Sequence, residues 1–251
     1  MTWLWAVLFF IYGLVFGSFF NVVGLRVPKG ESVVAPPSHC PNCGRRLTAA
    51  DLVPFFSFVW LKGQCRECGS AIHWTYPVME LLTGVAFALS YLRFGFSGEL
   101  IIALLFMSLL VIITVSDLAY MLIPDKILLL FGIPLLLLRL VFPLEPGWDS
   151  AVAAVVLPGV LLLTAVVSKG GMGGGDIKLY VVIGLVLGTV HSFVSLFIAA
   201  LVGAIMGFLH LRRQGKGRRT PIPFGPWIAL GAAVAYLYGG RIVGSYVNLF
   251  F

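Results

Sequence analysis

Two aspartates sit where a charge is expensive: Asp117 in VSDLAYMLIPDK and Asp176 in GGMGGGDIKLY, each at the edge of a long apolar run. An ionisable side chain at membrane depth must be paired or wetted, which makes it a functional candidate by default. Two carboxylates brought together form a water-activating pair. One, ionised, takes a proton from water; the other, protonated, polarises a peptide carbonyl. Asp117 closes one apolar run and Asp176 opens another, and two further runs lie between them. The chain therefore returns to the same face although 59 residues separate the acids. Asp176 begins a helix and Asp117 ends one, so the helix termini predict Asp176 as the resting base and Asp117 as the resting acid.

The residues around this pair divide into support and surroundings. Gly173, Gly174 and Gly175 precede Asp176 directly. Glycine lets a substrate strand approach the backbone closely, and irregular backbone enters a membrane edge only where protein or water satisfies its peptide groups. Lys178, Asp125 and Glu80 are the other expected supports. Asp125 follows Pro124 at a helix start, where capping is the first expectation. Glu80 lies one turn inside a span and pairs with a cytoplasmic cation or joins the active cleft, with Asn21 and Arg26 as available partners. The remaining acids fall in loops and read as solvated surface.

All four cysteines stand in one polar stretch, as C-x-x-C at Cys40 and Cys43 and again at Cys65 and Cys68, with 21 residues between the pairs. Each pair is followed by glycine. That spacing suits four thiolates closing on one zinc, with a disulfide pair and a redox C-x-x-C as the competing readings. A reducing cytoplasmic setting disfavours disulfides. Four protein ligands leave no open position, so the zinc would be structural, folding a loop too small for its own core.

The elements that must position these groups are helices in a bilayer. With 60% hydrophobic residues, 11% charged residues and a mean hydropathy of +1.03, the 251-residue chain is too apolar for a soluble domain of its size. It is expected to be an all-α polytopic membrane protein of about eight transmembrane helices with a small zinc-binding cytoplasmic loop. The expected spans are 3–25, 76–91, 100–115, 127–141, 151–167, a short one at 177–187, 193–211 and 227–247. The first run has no basic flank or A-x-A site and reads as a span that stays. The organisation follows: a first transmembrane helix at 1–25, a cytoplasmic zinc-binding loop at 26–75 and a transmembrane core at 76–251 that carries both aspartates. If the cysteine loop is cytoplasmic, the basic residues split 14 inside to 3 outside, which puts both termini outside. The cluster RRQGKGRR is then a topology anchor beside anionic lipid, and no nucleic-acid partner is expected. A cation transporter is the rival from another class, because membrane-depth acids also coordinate ions; two acids near one face suit alternating access poorly.

The motifs GGMGGGDIKL and SDLAYMLIPD, with GSFFNVVGLR, CPNC, CREC, YPVMELLTG and PFGP in order from residue 17 to 226, resemble the type IV prepilin peptidases. The resemblance implies a bacterial inner-membrane aspartyl protease that cleaves the short basic leader of prepilins or pilin-like proteins at the cytoplasmic face. By motif matching its catalytic pair is Asp117 and Asp176. It also implies, in many members, methylation of the new N-terminus with S-adenosylmethionine, the first cytoplasmic loop being involved. Prepilins and membrane lipid are the expected partners.

Overall fold

The computed structural model describes residues 1–168, 171–214 and 223–250, without the side chains of His210, Leu211, Arg213, Gln214 and Phe250. Lys169, Gly170 and most of the basic cluster (Lys216, Arg218, Arg219) lie outside the described residues. The described chain is helical: α1 Thr2–Arg26, α2 Phe56–Trp60, α3 Thr75–Phe94, α4 Gly98–Tyr120, α5 Asp125–Val141, α6 Asp149–Val167, α7 Gly174–Gln214 and α8 Gly225–Phe250. Two isolated β-bridges, both in the cysteine loop, are the only strand-like pairing among those residues. Helices satisfy their own peptide groups, which is what apolar segments in lipid require. Among the described residues, six helices are long and apolar enough to cross a membrane. Each of the eight predicted spans falls within a helix, but 177–187 and 193–211 both lie in α7, and the 17-residue α5 is about 25 Å long.

The chain forms two compact units, Met1–Val115 and Ser116–Phe251. In the first, α1 lies against α3 through small residues. A Cβ on Gly13 would fall 2.6 Å from the Cα of Gly84, and one on Gly17 would fall 2.8 Å from the Cα of Glu80. Backbones this close are the usual way membrane helices associate when no water-driven burial is available. Phe9 stacks on Tyr91 with ring centroids 4.9 Å apart, and Asn21 Nδ2 donates to the Tyr76 carbonyl at 3.2 Å.

In the second unit, α7 reverses direction. Gly188 has φ 74° and ψ 179°, a conformation only glycine adopts without strain. Before it, Gly175 lies against Ile123, and at the break Gly188 lies against Asp149. After it, His191 lies against Gly239 and Gly203 against Phe224 and Trp227. Because α8 begins at the Phe224 end, the segment after Gly188 runs back along α8. The peptide groups freed by the break are satisfied by side chains. Thr189 N–H donates to both oxygens of Asp149 at 3.1 and 3.2 Å, and the buried Arg139 donates to the Val186 carbonyl at 2.7 Å.

The close backbone approach predicts a contrast in stability. Gly13→Ala should lower unfolding stability in detergent by about 1–3 kcal/mol through overpacking. Gly159→Ala in α6, where a Cβ meets nothing within 4 Å, should be neutral or stabilise by up to about 1 kcal/mol. Denaturant titrations followed by circular dichroism check both; equal effects would remove the packing argument.

Candidate active site

SDLAYMLIPD becomes a helix end, a tight turn and a helix start. Asp117 sits in the last turn of α4, 5% exposed. Met121 N–H donates to the Asp117 carbonyl at 2.8 Å, Met121 takes φ 52°, and Ser116 Oγ donates to the Leu122 carbonyl at 2.5 Å. A left-handed non-glycine residue is strained and persists where its surroundings over-determine it. The turn fixes the direction in which Asp117 points.

Asp176 is the third residue of α7, half-buried, with its N–H donating to the Gly173 carbonyl at 3.1 Å. The helix thus starts two residues earlier than the sequence suggests, taking in Gly174 and Gly175. One of the three glycines, Gly175, is needed for space, and Gly173 is close to the Asp176 carboxylate. A Cβ on Gly175 would fall 2.9 Å from Ile123 Cβ, and one on Gly173 would fall 3.2 Å from Asp176 Oδ2. Gly174 has nothing within 4 Å of that position and leaves its backbone open. From Gly174 to Leu187 the first pass of α7 is about 21 Å long, short of a hydrocarbon core of about 30 Å.

Asp117 and Asp176 line one cavity of about 860 Å³, together with Asp125, Lys178, Pro223 and Phe224. Asp117 is near enough to act electrostatically on Asp176. Gly225 N–H, at the first residue of α8, donates to Asp117 Oδ2 at 2.7 Å. Sequence reasoning missed this partner, although PFGP, which carries it, was in view. It changes the electrostatic expectation: both acids now lie beside a helix N-terminus, so helix ends no longer separate a resting base from a resting acid.

The supporting residues divide. Asp125 makes no capping bond; the N-cap of α5 is Pro124, and Asp125 instead pairs with Lys178 Nζ at 2.8 and 2.9 Å, both side chains being exposed. Capping fails because Asp125 is already the first helical residue, with its side chain directed to α7. Glu80 is not among the residues lining the aspartate cavity. Its Oε2 accepts the N–H of Phe55 at 2.8 Å, and it lines a separate cavity of about 410 Å³ in the first unit. Neither expected partner reaches it: Asn21 binds the Tyr76 carbonyl, and Arg26 donates to the Ser32 carbonyl at 3.1 Å.

The cysteines form two matching knuckles. Cys40 N–H donates to the Arg45 carbonyl and Gly44 N–H to the Cys40 carbonyl; Cys65 and Gly69 repeat the pattern with Ser70. Gly44 and Gly69 take φ 72° and 68°, as each turn requires. The four sulfurs lie within 4.8 Å of one another, as one group rather than two bonded pairs. Four sulfurs tetrahedral about an ion at about 2.3 Å would be about 3.8 Å apart, and Cys40 Sγ to Cys68 Sγ is 3.8 Å. The residues therefore fit a thiolate-bound metal. The Ser70 hydroxyl lies 3.1 Å from Cys68 Sγ and 3.5 Å from Cys40 Sγ. It is the main cause that lowers the Cys68 thiol from 9.0 to about 6, followed by the Ser70 backbone N–H and by Asn42.

The comparisons follow this geometry. A family model described as Bacterial Peptidase A24 N-terminal domain matches residues 11–94, and one described as Type IV leader peptidase family matches residues 104–208. The "Prepilin leader peptidase/N-methyltransferase" of Bacillus subtilis (strain 168) is 42% identical over 240 residues, covering 96% of this chain and 97% of that one. The chain belongs to the type IV leader peptidase family. The proteins of the same name from Aeromonas hydrophila and Xanthomonas campestris pv. campestris are each 34% identical, covering 100% and 94% of this chain and 96% and 92% of their own. No solved structure matches the chain.

The contact of the Ser70 hydroxyl with two of the four sulfurs predicts that Ser70→Ala weakens metal binding by about tenfold at neutral pH. Without the hydroxyl the Cys68 thiol moves back toward 9.0, so the metal must displace more protons. The deficit should shrink as pH rises toward that value. Competition with a chromophoric chelator across pH measures it, and a pH-independent deficit would deny the mechanism.

Proposed function

We propose that the chain is an intramembrane aspartyl endopeptidase that removes the short basic leader of type IV prepilins or pilin-like proteins. Asp117 and Asp176 are its catalytic carboxylates. The observation that carries this reading is that the two acids, distant in sequence, share one cavity beside an open glycine backbone. The pair holds one proton. Its ionised member takes a proton from water as the water oxygen attacks the scissile carbonyl, and its protonated member donates to the carbonyl oxygen. The proton is then returned to the leaving amine. Asp117 is held in place by Gly225 N–H, and the Asp125–Lys178 pair closes one wall of the cavity. Gly174 offers backbone against which an extended substrate can lie.

The relatives' printed name, which includes N-methyltransferase, supports a second step on the same product. There S-adenosylmethionine would supply the methyl group for the new N-terminal amine, which would give up a proton, with S-adenosylhomocysteine as the leaving group. Zinc, held by Cys40, Cys43, Cys65 and Cys68, is structural in this reading, since four thiolates leave no site for substrate. The charge split supports an inner-membrane protein with the cysteine loop in the cytoplasm and both termini outside. No observation favours the cation-transport reading.

Purified protein in proteoliposomes should release the leader from a type IV prepilin, read by mass spectrometry. Asp117→Asn and Asp176→Asn should each lower the cleavage rate by about 10²–10⁴-fold while leaving the helical spectrum unchanged. Cleavage that survives both substitutions would refute the assignment.

A further inference from the structure

We propose that residues 52–60 of the cysteine loop lie in the lipid interface, as an apolar wedge in the bilayer surface distinct from the spanning helices. The ten residues from Leu52 to Leu61 carry no charge and stand between Asp51 and Lys62. Their outward side is apolar: Phe56 is 61% exposed, Val59 59% and Trp60 86%, and these three share one side of α2. Leu52 and Val53, in the turns just before α2, are exposed as well. The inward side is held by protein. Phe58 lies against Gly63 and, with Ser57 and Leu61, walls the 410 Å³ cavity. The segment is therefore apolar on both sides and covered on one. A contiguous exposed apolar patch of this kind marks a contact surface.

The depth of the segment identifies what covers it. Phe55 N–H, at the N-cap of α2, donates to Glu80 Oε2 at 2.8 Å, and Glu80 is the sixth residue of the spanning helix α3. With 20 residues, α3 is about 30 Å long, the thickness of the hydrocarbon core itself. Glu80 is about 7–8 Å along it from the first residue. That bond draws the start of α2 to the depth, about 5–10 Å, at which interfacial helices bury their apolar faces. The rim agrees. Trp74, the N-cap of α3, and Tyr76 in its first turn are exposed aromatics of the interfacial kind. Lys62 follows the wedge with a long stem able to reach headgroups. The nearest acid is turned the other way: Asp51 is paired with Arg66 at 2.9 Å and Arg45 at 3.3 Å. The lipid-facing surface of α3 is thereby continued onto the loop.

The test uses the full chain in nanodiscs of phosphatidylethanolamine and phosphatidylglycerol, with its six tryptophans replaced biosynthetically by 5-fluorotryptophan. Trp60→Phe identifies the Trp60 fluorine resonance, and unchanged positions for the remaining resonances show that the variant is folded. Expected is loss of the Trp60 signal when a lipid carries a nitroxide high on its acyl chain, and its survival with a water-soluble gadolinium chelate. Loss to the chelate, with or without loss to the nitroxide, places the segment in water and overturns the proposal. Survival against both shows Trp60 covered by protein, such as a second copy of the chain, and overturns it equally.

Discussion

A helix that stops inside a membrane leaves peptide groups that no solvent can satisfy, and this fold depends on how one such stop is met. At Gly188 the chain breaks and turns back, and the exposed groups are taken up by Asp149 on one side and Arg139 on the other. The break limits the first pass of α7 to 14 residues, about 21 Å. That length fixes how far Asp176, near its start, lies from the turn. The second pass then runs back along α8 and brings Gly225, the first residue of α8, to the end of the unit where Asp117 waits. The position of Asp176 is thus set from the opposite end of the helical pass that carries it.

Much of this was legible in the sequence. Apolar runs separated by polar or glycine-rich stretches locate the helices, because a bilayer makes length and composition nearly sufficient. Asp117 and Asp176 could be paired because an even number of passes returns the chain to the same face. The four cysteines could be grouped because their ligand spacing is local. What escaped are contacts from a side chain to a distant backbone. Asp117 meets Gly225 across 108 residues and Glu80 meets Phe55 across 25. A backbone N–H has no sequence signature, so nothing in the residue types announces its partner. Asp125 was misjudged for a related reason: its position suggests capping, while its actual partner, Lys178, is visible only once α5 and α7 lie side by side.

Three acids whose backbone partners escaped sequence reasoning share a pattern. Asp149 accepts from Thr189, where the second pass of α7 begins; Asp117 accepts from Gly225, where α8 begins; Glu80 accepts from Phe55, at the N-cap of α2. In each case a carboxylate on one helix caps the N-terminus of another, which supplies the hydrogen bonds that water would supply in a soluble protein. The expensive acids in this chain therefore hold helix starts in position as well as carrying charge.

Asp176 departs from the pattern, and the departure bears on the proposed hydrolysis. Its carboxylate leans on Gly173 within its own loop rather than on the start of a distant helix. A shift of Asp117 breaks its bond to the first residue of α8, whereas Asp176, the third residue of α7, has its nearest backbone neighbour in Gly173, three residues before it. A hydrolytic pair needs one member whose position is fixed, so that water and carbonyl are aligned, and it gains from one that follows the reacting atoms as bonds change. In the proposed reaction Asp117, tied to Gly225, suits the fixed part.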